Sequence, residues 1–304
     1  MRADLWLAHE YDLARDTYNS LMEELLKRAL SVLQVWDDVD WHSTQAAVWR
    51  QSRWQSGLVS HLSIDDVALT DLLHVDDQKD SLVTNTRQFM AGLPANNTLL
   101  WGSRGTGKSS LIHAILLEFA KDGLRLVEVG KQDLQHLAEI VDLLAPRPFK
   151  FIIFCDDLSF EADDPSYKAL KSALEGSIFK STANVLIYAT SNRRHLLPEY
   201  MQDNQASGLV EGELHHGEAV EEKISLSDRF GLWLSFYPFK QNDYVDVVEH
   251  WLGKLAAKHQ VEFDFDDALR QEALRWALAR GGRSGRTAQH FARHWVGKSK
   301  IQDE

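Results

Sequence analysis

Cysteine is nearly absent: the 304 residues contain one, Cys155. A single thiol excludes a disulfide framework and fits a reducing cytosol. Apolar runs of membrane-spanning length are missing, so no membrane partner is expected. The N-terminus, Met-Arg-Ala-Asp-Leu-Trp, has no basic segment leading into an apolar core, so no signal peptide is expected and the cytoplasm is the expected location. Positive charge is short: 33 Lys and Arg against 45 Asp and Glu leave a net charge of −12. That balance disfavours a general nucleic-acid binder and leaves only a local basic patch open. Residues 1–75 hold no proline and no glycine before Gly57. Leu21, Leu25, Leu26 and Leu30 recur there at helical spacing, which predicts a helical N-terminal region.

What is present is apolar and aromatic. The chain is 44% hydrophobic, enough for one large domain and one or two smaller ones. Five of its ten tryptophans lie in the first sixty residues. Trp36, Trp41, Trp49 and Trp54 are expected to pack a small helical core or dock it on the next domain, rather than form an interaction surface. The run Asp37-Asp38-Val39-Asp40 reads as a solvated face or cap.

The chain is organised around Gly102-Ser103-Arg104-Gly105-Thr106-Gly107-Lys108-Ser109, which fills every fixed position of the pattern G-x-x-x-x-G-K-[ST]. Asn97 to Trp101 before it reads as a strand, and Ser110 to Ala120 after it as a buried helix. Strand, glycine-rich turn and helix are the context a phosphate-binding loop needs. Gly102, Gly105 and Gly107 let the backbone curl so that its N–H groups point at phosphate oxygens, reinforced by the positive end of the helix. Lys108 adds a charge on the β- and γ-phosphates, and Ser109 offers a hydroxyl to Mg²⁺.

Further strands are expected at Leu124 to Val129, Phe149 to Asp157, Ala183 to Asn192 and Leu232 to Pro238. Helices are expected over Asn85 to Gly92, Lys131 to Leu144, Tyr167 to Ser177, Tyr244 to His259 and Asp267 to Arg280, with a last one opening at the Gly281–Arg286 turn. The second of these strands, Phe149 to Asp157, is apolar from Phe151 to Cys155 and ends in Asp156-Asp157. Such a strand suits the centre of a parallel sheet and delivers its carboxylates to the C-terminal edge. Asp156 is placed to hold Mg²⁺, and Asp157 to orient an attacking water. Asn192, at the end of another strand, is placed to reach the γ-phosphate or the water. Gln202 to Lys223 reads as a mobile loop, and its adjacent His215 and His216 do not make a metal site.

In this order, the P-loop, Asp156-Asp157, Asn192, Ser-Asp-Arg229-Phe-Gly and Gly-x-x-Gly-Arg286 resemble the AAA+ ATPase superfamily. The stretches PANNTLLWGSRGTGKSS, CDDLSFE, YATSNRRHLLPE, KISLSDRFGLW and GGRSGRTA are similar to a bacterial family of predicted AAA+ ATP-binding proteins known as domain of unknown function 815. The resemblance is strong over about residues 76–296. It implies an α/β fold with a P-loop NTPase parallel sheet, a helical C-terminal lid and a helical N-terminal extension. The implied divisions are 1–75, 76–239 and 240–304. The implied cofactors are ATP and Mg²⁺, held by residues 102–109, Ser110 and Arg286, with Ser109 and Asp156 on the metal.

The resemblance also implies roles for single residues. Asn192 is implied as sensor 1, Arg229 as an arginine finger acting on a neighbouring subunit of a ring-like homo-oligomer, and Arg286 as sensor 2, with Arg283 a weaker candidate. The implied activity is ATP hydrolysis that remodels an unidentified protein client. A slow nucleotide switch and an initiator-type nucleic-acid loader are the alternatives. Two departures stand out. The second acid is Asp157 where AAA+ proteins usually carry Glu, which leaves slow hydrolysis or help from Glu161 open. The stretch Val129 to Asp133 has no aromatic residue, which counts against polypeptide threading.

Overall fold

A computed structural model describes residues 21–24, 39–52, 55–61, 66–160, 164–175, 183–194, 196, 208–210, 213–215 and 226–303. Nine strands are found among them: β1 Ala46–Gln51, β2 Ser56–Ser60, β3 Thr98–Gly102, β4 Leu124–Glu128, β5 Lys150–Cys155, β6 Val185–Ser191, β7 Gly208–Val210, β8 Glu213–His215 and β9 Leu232–Phe236. The longer helices are α1 Asp76–Met90, α2 Lys108–Phe119, α3 Leu137–Leu144, α4 Pro165–Glu175, α5 Gln241–His259, α6 Asp267–Ala279 and α7 Gly285–Asp303. Among the described residues no helix is long and apolar enough to cross a membrane.

Seven strands form one sheet in the order β2-β1-β4-β5-β6-β3-β9. Every neighbouring pair is parallel except the β1–β2 hairpin. Alternate residues of the central strands enter two different cores, as the two-residue period of a strand requires. Ile152 and Phe154 of β5 face a core with α1, α2 and the C-terminal helices. Phe151, Ile153 and Cys155 face a second core with α3, α4 and Trp49. The sheet is therefore covered on both sides, which explains why β5 carries no polar residue between Lys150 and its end. Burial, with Asp156 adding, pushes the Cys155 thiol up to about 12, so it is no nucleophile at neutral pH.

The N-terminal region departs from the helical expectation. Residues 46–51 and 56–60 are strands, and β1 pairs in parallel with β4 through Ala46↔Leu126 and Val48↔Glu128. The segment Ala46-Ala47-Val48-Trp49 is a short apolar run without two-residue alternation. The open edge of β4 imposes the conformation, since strand preference follows neighbours more than composition. Trp41 and Trp49 do pack rather than form a surface. Trp41 meets Phe151 edge-on at 5.0 Å between ring centres, and Trp49 is buried in the same core. The buried Arg125 joins this region to the sheet, donating to Trp41 O at 2.7 Å and Ala120 O at 2.9 Å. Leu21 is exposed, while Leu25, Leu26, Leu30, Trp36 and Trp54 lie outside the described residues.

Smaller departures are local. The helix expected from Asn85 starts at Asp76, where two aspartates in its first turn suit the positive end of the helix dipole. The segment 131–144 divides into a 3-10 turn, Lys131–His136, and α3. Within the stretch read as a mobile loop, β7 and β8 pair antiparallel. His216 and the remainder of 216–223 lie outside the described residues.

Candidate functional site

Three adjacent parallel strands, β5, β6 and β3, end at the same edge of the sheet. Edges of this kind, at the carboxyl ends of parallel strands, collect ligand-binding residues. β3 delivers the P-loop, β5 delivers Asp156 and Asp157, and β6 between them delivers Thr190, Ser191 and Asn192.

The loop leaves β3 through a contact that only glycine permits. Gly102 has φ +131°, and a Cβ there would sit 2.0 Å from Phe236 O of β9. The loop's first amide, Ser103 N, donates to that same carbonyl at 3.0 Å. Thr106 Oγ1 closes the turn on Ser103 O at 2.8 Å. Helix α2 then begins at Lys108, its N-terminus facing the loop.

Side chains from all three strands meet in one network. Ser109 Oγ and Thr190 Oγ1 both donate to Asp156 Oδ1 at 2.6 Å. Asp157 N donates to Thr190 Oγ1 at 2.8 Å. Asp157 is one of few non-glycine residues with a left-handed backbone, φ +49°, so the chain turns sharply between the two acids. The Asn192 amide donates to Asp157 Oδ1. Lys108 Nζ donates to Gly102 O at 2.9 Å, Ser103 O at 2.8 Å and Asn192 Oδ1 at 3.2 Å. Burial lowers the Lys108 ammonium to about 8 against the pull of Asp157 and Asp156, and Arg286 and Arg104 add to the drop.

The C-terminal helices roof this edge. The turn before α7 rests on the P-loop: Arg286 N donates to Gly105 O at 3.4 Å. Gly105 has φ +73°, and a Cβ on it would lie 2.9 Å from Ser284 Oγ. Between roof and sheet lies a cavity of about 750 Å³. Arg104 to Ser110, Asp156, Asp157, Asn192 and Arg286 all line it. Its size suits a nucleotide-sized ligand.

The structure thus brings together most residues singled out from the sequence and leaves two apart. Arg283 is exposed and does not line the cavity. Arg229 precedes β9, and the register Leu232↔Thr98 to Phe236↔Gly102 puts it at the far end of the sheet from its own P-loop. Four strand steps, about 13 Å, separate those ends. Glu161 lies outside the described residues.

Sequence reasoning missed other lining residues. Thr190, 1% exposed, joins both acids yet looks like an ordinary strand threonine. Val67, Asp71 and Leu72, from the segment before α1, and Trp251 and Lys254 of α5 also line the cavity, Leu72 lying close against Gly107 of the P-loop. Their spacing in sequence carries no motif. Ser109 and Asp156 fit a Mg²⁺ ion bound together with phosphate, because a hydroxyl and a carboxylate already converge there. Among the described residues no group of three or more His, Cys, Asp or Glu could hold a metal without such help.

No curated protein matches this chain. The Aeropyrum pernix ORC1 protein in complex with DNA superposes with a TM-score of 0.53 and 16% identity, covering 77% of this chain and 62% of that one. A Thermotoga maritima RuvB mutant gives 0.50 and 16%, covering 78% and 67%. The Thermotoga maritima RuvB Holliday junction branch migration motor gives 0.48 and 16%, covering 76% and 64%. This chain therefore spans under two thirds of the ORC1 chain and of that RuvB motor. The likeness is one of fold: an α/β P-loop NTPase. The family model described as "Protein of unknown function (DUF815)" matches residues 42–299, and the chain belongs to that family.

Proposed function

We propose that the protein binds ATP with Mg²⁺ and hydrolyses it to ADP and phosphate, working as a homo-oligomer that couples nucleotide state to lid position. One observation carries this reading: the P-loop, both acids, Asn192 and the lid's Arg286 line a single cavity.

The residues divide the work. Loop amides and Lys108 hold the β- and γ-phosphates, and Arg286 reports their presence to the lid. Ser109 and Asp156 hold the Mg²⁺, whose charge offsets that of the phosphates. Asp157 orients the attacking water and takes its proton. Asn192 engages one oxygen of Asp157, which leaves the other for that water. Lys108 releases its bond to Asn192 when phosphate arrives, freeing the amide oxygen.

Arg229 acts in trans, because its own P-loop lies at the opposite end of the sheet. Its guanidinium stabilises charge on the transferring phosphoryl group, an effect of about 10³–10⁵ in rate in other nucleotide hydrolases. Such a head-to-tail contact closes into a ring when its rotation permits. The client is an unidentified protein or complex.

A mixing experiment tests this reading. Arg229→Ala and Lys108→Ala are each expected to be inactive alone. Mixed, some interfaces pair an intact finger with an intact P-loop, so activity returns in part. A monomer whose Arg229→Ala form hydrolyses ATP at the wild-type rate would refute action in trans. A slow nucleotide switch is the second reading, favoured by the Asn192 bond to Asp157 and by the short reach of an aspartate. Turnover measured with Asp157→Asn as the blank separates the two.

A further inference from the structure

Part of the cavity lining is apolar. Val67 and Leu72 line one side and Trp251 and Leu255 the other. Apolar side chains from two separate segments suit a flat ring, so on the nucleotide reading above they form the base end of the cavity. One wall belongs to the segment before α1 and the other to lid helix α5.

The two walls are joined by a buried carboxylate. Asp71, only 6% exposed, ends the 3-10 turn Leu69–Asp71. It accepts from Ala68 N at 2.8 Å, from His250 Nε2 at 3.0 Å and from Lys254 Nζ at 2.5 Å. His250 and Lys254 are four residues apart, one helical turn on one face of α5. Burial alone would push the Asp71 carboxyl up. The bonds from Lys254, Ala68 and His250 outweigh it and hold the carboxyl below its usual range. A second contact of reversed polarity lies beside it, with His74 Nε2 3.0 Å from Asp246 Oδ2.

The segment carrying Asp71 is itself fixed to the sheet. Lys79 of α1 donates to Leu72 O at 3.0 Å, and Gln78 of the same helix donates to Ser235 O of β9 at 2.8 Å. The path runs from β9 through α1 to Asp71 and on to α5. A lid swinging away from the base end must break the Asp71 contacts, and nothing in the chemistry of phosphate transfer requires them.

We propose that Asp71 is a positioning residue: through Lys254 and His250 it latches the lid over the base end of the cavity and thereby limits how fast nucleotide leaves. The proposal rests on the nucleotide-binding reading for its effect on release, but the latch itself is a property of the empty protein.

The test therefore has two readouts on the full chain. Asp71→Asn removes the charge that Lys254 and His250 grip. Lys254→Met removes one grip from a partly exposed position and spares the fold if Asp71→Asn does not. Hydrogen exchange of the α5 amides, measured without nucleotide, should speed up in both variants, while Lys254→Arg keeps the wild-type pattern. Release of a fluorescent ATP analogue should speed up about tenfold, the scale of a lost hydrogen bond to a charged group. The double variant should release no faster than the quicker single one, because both remove the same contact. Unchanged α5 exchange in both single variants would overturn the latch. Faster exchange with unchanged release would overturn its control of the nucleotide. If the wild type binds no nucleotide at all, the proposed function and the control of release both fail, and exchange alone decides the latch.

Discussion

Ser109 and Asp156 meet at 2.6 Å although the strand carrying Thr190 lies between theirs in the sheet. The meeting depends on that middle strand. Thr190 donates to the same carboxylate oxygen and accepts the amide of Asp157, so one hydroxyl orients both acids.

Thr190→Val keeps the shape and removes that hydroxyl. The Asp157 amide then loses its acceptor, and Asp156 is held by Ser109 alone. We expect a loss of about 1–3 kcal/mol of stability and a rise in the Mg²⁺ concentration needed for nucleotide binding. Denaturant unfolding and Mg²⁺ titrations check this. A variant with wild-type Mg²⁺ dependence would show that Thr190 does not orient the acids.

Lys108 predicts a pH dependence. In the free protein its ammonium titrates at about 8, because burial opposes the charge. Bound phosphates favour the charged form and raise that value. Binding then takes up a proton above pH 8, and affinity falls as pH rises, by at most about tenfold per unit. Below pH 8 Lys108 adds no pH dependence. Calorimetry at pH 7, 8 and 9, in buffers of different ionisation enthalpy, reads both the affinity and the proton uptake. An affinity flat from pH 7 to 9 would contradict the assignment.

Gly105→Ala tests the seat of the lid on the P-loop. The left-handed backbone costs an alanine about 1–2 kcal/mol. The new methyl also meets Ser284 Oγ at 2.9 Å. We expect a lower melting temperature and faster exchange at the start of α7. Adding Ser284→Gly relieves that contact but removes the acceptor of Thr287 N at 3.1 Å, so it should recover part of the melting temperature and leave the exchange at the start of α7 fast. Full restoration of the melting temperature would show that the backbone conformation carries no cost.

The sequence made the P-loop legible because its signal is local: eight consecutive residues with a strand before and a helix after. Asp156-Asp157 and Asn192 were legible for the same reason, each closing an apolar strand. The hairpin of β1 and β2 was not. Its conformation comes from the edge of β4, and alanines and tryptophans carry no two-residue pattern to announce it. Asp71 was invisible for a further reason. Its partners, His250 and Lys254, lie 179 and 183 residues away, and a lone aspartate before a helix reads as a cap. Thr190 looks in the sequence like any strand threonine, since its role depends on two neighbours that the sheet supplies.

The central claim is that the cavity beneath the lid binds ATP through the P-loop. Titration of a fluorescent ATP analogue with Mg²⁺, into wild type and into Lys108→Ala, tests it most directly. The account predicts saturable binding to the wild type and its loss in the variant, because the loop's lysine on the phosphates is gone. Equal affinity in the two proteins, or no binding to the wild type, would contradict it.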